Sequence, residues 1–144
     1  MKKAKKKHGV RWWKQKAWDE FSKYIRLRDA LYTMGRPDFL ICCSCRKVYP
    51  AFGVGCAQAG HFIPGRKNAV LFDDRNVHGQ CYNCNHTLKG NWPGYMSFML
   101  KKYNQAVVDE LLRLNNTVRK YREPELEEIR DRYKQKVQEL KGEL

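Results

Sequence analysis

Apolar side chains recur at helical spacing in a long segment at each end of the chain. The first stripe runs from about residue 12 to residue 34 and consists of Trp13, Ala17, Phe21, Tyr24, the stem of Arg28, and Leu31. Gly35 and Pro37 follow it, and together they predict that this amphipathic helix ends there. The second stripe consists of Leu126, Ile129, Tyr133, Val137 and Leu140. It predicts a last helix starting near Pro124, whose apolar face packs either on this domain or on a second subunit.

The middle of the chain has a different pattern, with short apolar runs between glycines and prolines. Phe39–Ile41 and Ala69–Phe72 are predicted to be strands, because each is a short run of strand-forming residues bounded by turn residues. A helix is predicted from Asn85 to just past Leu88. Two more are predicted over residues 95–103 and 105–114, with Asn104 as the N-cap between them. The chain is therefore predicted to belong to the α+β class.

Two cysteine pairs, Cys42-x-x-Cys45 and Cys81-x-x-Cys84, predict a structural zinc site. Each pair places two sulfurs on one turn, and four thiolates around one Zn²⁺ give the usual tetrahedral site. Only 42% of the 144 residues are hydrophobic, so a metal staple would stabilise a modest core. Cys43 and Cys56 remain outside this set and are interpreted as small, partly buried residues. Spacing alone also allows the alternative of a zinc ribbon without catalysis.

The formal net charge is +14 and is concentrated in the first 30 residues, which hold 11 Lys/Arg against 3 Asp/Glu. Such an N-terminal arm suits phosphate contacts with nucleic acid, although a solubilising tail remains the alternative. The predicted phosphate contacts are Lys2, Lys3, Lys5, Lys6, Lys7, Arg11, Lys14, Arg66, Lys67, Arg75 and Lys89. The sequence shows neither a signal peptide nor an apolar run of membrane-spanning length, so no membrane partner and a cytoplasmic location are expected.

The residues between and just after the cysteine pairs suggest a catalytic site. His61 follows Ala59-Gly60, Asn76 lies five residues before Cys81, and Asn85 directly follows Cys84. A strand, loop, strand and helix would bring an imidazole opposite a helix-borne ligand, with room for a metal ion and a phosphate. The alternatives are that Asn76 only holds a turn and that Asn85 only caps a helix.

This ordered set resembles the HNH, or His-Me finger, nucleases. It is more closely similar to the NinG (Rap) recombination proteins of lambdoid phages over about residues 40–140. The similarity is carried by Cys42-Cys43-Ser44-Cys45, Ala59-Gly60-His61-Phe62, the run from Leu71 to Cys81 that contains Asn76, Cys84-Asn85, Lys89-Gly90-Asn91, and the run from Gln105 to Glu110.

The resemblance implies a zinc-stapled ββα-metal core over residues 39–104. Residues 1–38 would form the basic arm and first helix, and residues 105–144 the C-terminal helices. It further implies a structure-specific endonuclease that cleaves branched DNA, such as Holliday junctions and D-loops. His61 would be the general base, Asn76 would orient its imidazole, and Asn85 would bind a catalytic Mg²⁺ or Mn²⁺. Because a four-way junction has two related halves, a homodimer is expected.

One position departs from the broader nuclease pattern. Many His-Me finger enzymes carry an acidic metal ligand just before the catalytic histidine, where this chain has Gly60. Either fewer protein oxygens hold the metal, or a nearby side chain replaces the acid. The residues considered for that role are Asp73, Asp74, His78 and His86. The alternative functions are an HNH enzyme that cuts or nicks linear duplex, and a zinc-stapled DNA-binding module without catalysis.

Overall fold

The computed structural model describes residue 4 and residues 7–144, and it begins with a long helix. Helix α1 spans Val10–Met34 and ends at Gly35, whose φ of 68° is a left-handed conformation that glycine adopts without strain. The predicted first helix and its end are thereby confirmed. Lys2, Lys3, Lys5 and Lys6, the core of the predicted arm, lie outside the described residues.

Two antiparallel hairpins follow α1. Strand β1 (Phe39–Ile41) pairs with β2 (Val48–Pro50), and the turn between them carries the first cysteine pair. Strand β3 (Gln58–His61) pairs with β4 (Val77–Gln80) in a register that sets Gly60 opposite His78 and His61 opposite Val77. The short β1 strand is as predicted.

The second cysteine pair and three helices complete the chain. A π-helical turn spans Asn83–Thr87, so the helical segment predicted from Asn85 begins two residues earlier. Helix α2 (Trp92–Lys102) starts three residues before its predicted position, while α3 (Gln105–Leu114) has the predicted bounds. The Asn104 side chain accepts a hydrogen bond from the Val107 amide, which confirms it as the N-cap. Helix α4 spans Glu123–Gly142.

The predicted strand at Ala69–Phe72 is wrong, because the long β3–β4 connection turns there instead. A 3₁₀ turn at Gly65–Lys67 ends at Asn68 in a left-handed conformation (φ 64°), which reverses the chain before Ala69. The two large apolar side chains of the run then separate. Val70 enters the core beneath α2 and α3, whereas Phe72 packs against Phe21 of α1 at a ring separation of 5.5 Å. A short apolar run cannot reveal that its members serve two different cores.

Helices α1 and α4 lie side by side and form the main core with the β3–β4 hairpin. The buried members of that core are Ala17, Phe21 and Ile25 from α1, Ala59 and Val77 from the hairpin, and Tyr121, Leu126, Ile129 and Tyr133 from the C-terminal part. The apolar stripe of the last helix therefore finds its partner within this chain. Among the described residues, no helix has the length and apolar character that crossing a membrane requires.

The chain is thus a mixed α+β structure with two short antiparallel sheets and a helical C-terminal part.

Candidate functional site

The four predicted zinc ligands converge in space. The sulfurs of Cys42, Cys45, Cys81 and Cys84 all lie within 4.8 Å of one another, and the Cys45 and Cys81 sulfurs are 3.9 Å apart. Four sulfurs at a Zn–S distance of about 2.3 Å have an edge of about 3.8 Å. The cluster therefore has the dimensions of a tetrahedral Zn²⁺ site.

Hydrogen-bond donors surround the sulfurs and would stabilise them as thiolates. The Cys81 amide donates to Cys42 Sγ (3.3 Å), the Cys84 amide donates to Cys81 Sγ (3.4 Å), and Asn91 Nδ2 donates to Cys84 Sγ (3.3 Å). Burial raises the pKa of Cys84 to about 12, whereas hydrogen bonding, led by that of Cys43, lowers the pKa of Cys42 to about 4. A divalent cation would hold all four sulfurs as thiolates. The donor set and its spacing fit zinc.

The two remaining cysteines lie outside the cluster, as predicted. Cys43 is buried among apolar residues beneath α2, with its sulfur 3.7 Å from Ser44 Oγ. Cys56 is half-buried and accepts a long hydrogen bond from Arg26 at 3.8 Å.

His61 ends strand β3 and is held in one orientation. Its ring stacks on Trp18 of α1 with centroids 5.0 Å apart and an interplanar angle of 19°. Its Nε2 lies 3.2 Å from the Leu71 carbonyl oxygen. A carbonyl can only accept, so Nε2 carries the proton of the neutral ring and Nδ1 keeps its lone pair. Burial lowers the pKa of His61, although the Leu71 carbonyl opposes this. At neutral pH His61 is a free base.

Asn76 braces the loop that carries the Leu71 carbonyl. It is fully buried and makes three hydrogen bonds to backbone groups. Its Nδ2 donates to the carbonyls of Ile63 (2.9 Å) and Val70 (3.2 Å), and its Oδ1 accepts from the Ile63 amide (2.9 Å). None of these bonds reaches His61. Asn76 therefore holds the turn, which was the alternative to orienting the imidazole. An orienting role would act only through the adjacent backbone and stays a prediction.

Asn85 lies on the π-helical turn at the edge of β3. Its Nδ2 donates to Gln58 Oε1 at 2.8 Å, and no donor among the described residues reaches its Oδ1. It shares a cavity of about 390 Å³ with Trp18 and Gln58. Trp18 also stacks on His61, whereas His61 is not among the residues that line this cavity. That His61 and Asn85 serve one site stays a prediction.

Gly60, which stands where many His-Me finger nucleases carry an acid, leaves no room for a side chain. A Cβ at position 60 would overlap Gln80 Oε1 and lie 2.9 Å from Gln80 Cβ. Gln80 is fully buried and fixed by donating Nε2 to Ser44 Oγ (2.8 Å) and the Gly90 carbonyl (2.7 Å). The absence of an acid at position 60 is therefore built into the packing of the two strands.

The structure gives other partners to the side chains considered as replacements for that acid. His78 is buried, and both its ring nitrogens lie within hydrogen-bond distance of tyrosine hydroxyls, Tyr95 at 3.2 Å and Tyr103 at 2.9 Å. Neither nitrogen is left for a metal ion. Of the remaining three, Asp73 pairs with Arg75 (2.9 Å), Asp74 lies 4.0 Å from Lys136, and His86 stacks on Tyr82.

Several of the predicted phosphate contacts are exposed, and two are engaged. Lys7, Arg11, Arg66, Lys67 and Lys89 are exposed. Two others make contacts of their own. Lys14 donates to Asn68 Oδ1 at 2.7 Å, and Arg75 forms ion pairs with Asp73 and Glu110.

Sequence reasoning missed three groups that shape the site: the Trp18 ring, the Leu71 carbonyl and the Gln80 side chain. Trp18 is far from His61 in sequence, and a backbone carbonyl leaves no mark on residue identity. The one available signal was that Gly60 and Gln80 both occur in a hairpin, where a glycine often marks a close approach by another chain segment.

Replacing Asn76 by alanine is expected to destabilise the fold by about 3 kcal/mol, because the Ile63 amide and two carbonyls lose a buried partner. Urea unfolding of the variant measures this, with Asn116→Ala, at an exposed turn residue, as the matched control. Equal stability of Asn76→Ala and the unsubstituted protein would contradict the bracing role.

Comparison with known proteins agrees with the earlier resemblance at the family level. A family model described as Bacteriophage Lambda NinG protein matches residues 1–143. The chain is 28% identical over 132 residues to the protein ninG of Escherichia phage 933W, covering 91% of this chain and 59% of that relative. The protein ninG of Salmonella phage P22 is 28% identical over 131 residues (90% and 58%). That of Escherichia phage lambda is 28% identical over 132 residues (91% and 58%).

The chain thus spans less than two thirds of the length of these relatives. No solved structure matches it.

Proposed function

Because the chain belongs to the bacteriophage lambda NinG protein family, we propose that it is a structure-specific endonuclease that hydrolyses phosphodiester bonds in branched DNA. The substrates are recombination intermediates such as Holliday junctions and D-loops. The observation that carries the proposal is the state of His61. Its imidazole is neutral at pH 7, its Nε2 is committed to a backbone carbonyl, and its Nδ1 is free to take a proton.

The proposed fold assignment is a ββα-metal, or His-Me finger, core. Its two strands are β3 and β4, and its helical part is the π-helical turn that carries Asn85. The zinc cluster fixes the start of that turn, because Cys81 directly follows β4 and Cys84 directly precedes Asn85. We infer that the strand-borne His61, which stacks on Trp18, and the helix-borne Asn85, which shares a cavity with Trp18, serve one reaction space.

The chemical role of His61 follows from its protonation state. Hydrolysis requires a water molecule that loses a proton as it attacks phosphorus, and the Nδ1 lone pair accepts that proton. Trp18 and the Leu71 carbonyl prevent ring rotation, so the lone pair keeps one direction. Asn76 supports this alignment through the loop.

The catalytic metal ion is proposed to be Mg²⁺ or Mn²⁺, with Asn85 Oδ1 as its protein ligand. The carboxamide oxygen fits this role because the Nδ2 atom is held by Gln58 and Oδ1 accepts no bond from the described residues. Mg²⁺ commonly keeps several waters and takes few protein oxygens, so a site without an acid at position 60 remains consistent with it. When bound, the ion stabilises the negative charge that develops on phosphate and on the leaving oxygen.

Two copies of the chain are proposed to act on one junction, since symmetric cleavage of a four-way branch needs two active sites. The apolar stripe of α4 is not the interface, because α1 covers it within the chain. Selectivity for the branch would depend on DNA shape and bendability, with exposed cations such as Arg66 and Lys67 contacting phosphates.

A panel of end-labelled substrates of equal sequence tests the proposal. The zinc-loaded protein is expected to cut four-way and three-way junctions with Mg²⁺ or Mn²⁺ and to leave linear duplex intact. Equal cutting of linear duplex would indicate an HNH enzyme of broader specificity. Binding without cutting would indicate a DNA-binding module.

In the pH profile of cleavage, the midpoint of the acid limb is expected to lie below the ordinary histidine pKa of about 6.5. Burial lowers the pKa of His61, so the imidazole stays unprotonated as the pH falls through 6.5 and gains its proton only at lower pH. The profile of kcat/KM reports this free-enzyme pKa. A midpoint at or above 6.5 would contradict the assignment of a buried histidine as the base.

A further inference from the structure

A second concave surface lies away from His61, between the C-terminal end of α1, strand β1, the first cysteine turn and helix α2. It encloses a cavity of about 510 Å³. Tyr32 and Phe98 supply aromatic rings to its wall, and Arg46, Lys101 and Lys102 supply cations. We call this surface the basic groove. Tyr32 lies 14 residues beyond Trp18 on α1, or about 21 Å along the helix axis.

The cations of the basic groove have no acidic counterparts. No Asp or Glu lines it, and no carboxylate among the described residues lies within 4.0 Å of Arg46, Lys101 or Lys102. The Lys102 ammonium instead sits 4.2 Å from the Tyr32 ring centroid and 5.9 Å from that of Phe98. A chain with 15 Asp/Glu residues thus leaves three clustered cations unpaired, which suits an anionic ligand.

Arg46 adds an independent observation, because its backbone is in a conformation that disfavours a side chain. Its φ is 66°, in the left-handed region where glycine is at ease and a long side chain is strained. Its amide closes the first cysteine turn by donating to the Cys42 carbonyl at 3.0 Å, a bond that glycine would also make. Its guanidinium carbon lies 5.9 Å from the Phe98 ring centroid, so this exposed arginine adds a cation to the aromatic wall of the groove.

We propose that the basic groove binds an unpaired segment of single-stranded DNA. Bases would stack on Tyr32 and Phe98, and phosphates would be contacted by Arg46, Lys101 and Lys102. This combination of aromatic faces with cations is the usual basis of single-strand binding. Inside a duplex the faces of each base are covered by the neighbouring base pairs. Stacking on the aromatic wall of the groove requires uncovered faces, which an unpaired strand offers. The assignment of the unpaired strand at a DNA branch as the biological ligand of the groove rests on the proposed function.

The exposure of Tyr32 supports this occupant. Tyr32 is 66% exposed, and the Lys102 ammonium lies 4.2 Å from its ring centroid. A base that stacks on this ring buries apolar surface that the isolated chain leaves in water. Arg46 directly follows Cys45, but its side chain takes no part in the sulfur cluster. Neither Tyr32 nor Arg46 is a partner of His61 in the described part of the chain, so both are open to substitution without touching the proposed catalytic group.

The test is the affinity of the full chain for a fluorescein-labelled oligo(dT) of about 12 nucleotides, within the range of known single-strand sites. Arg46→Gly and Tyr32→Ala are each expected to weaken binding at least fivefold. Arg46→Gly should also reduce the salt slope by about 0.7, the value for one lost phosphate contact to a single strand. Because glycine relieves the left-handed strain, the Tm of Arg46→Gly should equal or exceed that of the unsubstituted chain.

Lys120→Gln, in the exposed connection between α3 and α4, is the matched control for a lost positive charge. Its affinity for oligo(dT) should change less than twofold. Unchanged affinity in both groove variants, or an equal loss in Lys120→Gln, would overturn the proposal. A chain that binds oligo(dT) through the basic groove but hydrolyses no junction would refute the proposed nuclease function and leave this inference standing.

Discussion

Replacing His61 by alanine is expected to lower the single-turnover rate of junction cleavage by about 10³-fold, within the range that general-base catalysis contributes. The imidazole supplies a proton acceptor that the structure fixes in place, with Nε2 bound to the Leu71 carbonyl and the ring held against Trp18. Quenched cleavage of an end-labelled four-way junction measures the rate. DNA affinity and zinc content should remain close to those of the unsubstituted protein.

His86→Ala is the matched control for this experiment. His86 is exposed, stacks on Tyr82, and lies on the same helical turn as Asn85 without contacting His61. Its loss should change the cleavage rate less than threefold. If His61→Ala kept more than a tenth of the original rate, or if both histidine variants lost activity equally, the base would have to be another group.

Replacing Cys81 by serine is expected to abolish cooperative folding. Structural Zn²⁺ sites contribute apparent free energies of about 10–16 kcal/mol at neutral pH, which equals or exceeds the entire stability of a typical domain. Cys81 is central to the cluster, since its sulfur lies 3.9 Å from Cys45 Sγ and accepts a hydrogen bond from the Cys84 amide. Without the Cys81 sulfur, the metal site would no longer tie the turn that carries Asn85 to the first cysteine pair.

Circular dichroism during heating and metal analysis of the purified protein measure this effect. Cys56→Ser is the control, because Cys56 is half-buried and lies outside the sulfur cluster. It should keep one zinc per chain and a cooperative transition. A Cys81→Ser protein that is zinc-free yet unfolds cooperatively at the original temperature would show that the sulfur cluster does not hold the fold.

The elements that sequence predicted well are those with local signals. Gly35 ends α1, and Asn104 caps α3 through a hydrogen bond to an amide three residues on. The cysteine spacings predicted a four-sulfur cluster because each pair forms its own turn, and only the meeting of two turns had to be inferred.

The features that sequence did not predict depend on contacts between distant residues. The run at Ala69–Phe72 has strand-like composition, yet its side chains enter two different cores, so the chain turns there. The stacking of Trp18 on His61 joins α1 to β3. The Gln80 side chain fills the space beside Gly60, so position 60 has no room for a side chain, and residue identities alone do not reveal this contact.

Cleavage of a four-way junction by the purified, zinc-loaded chain is the most direct test of the central claim that His61 and Asn85 form a hydrolytic site. We expect Mg²⁺-dependent or Mn²⁺-dependent strand scission near the branch, abolished by a chelator that spares the bound zinc. Tight binding of the junction with no hydrolysis in either metal would contradict it.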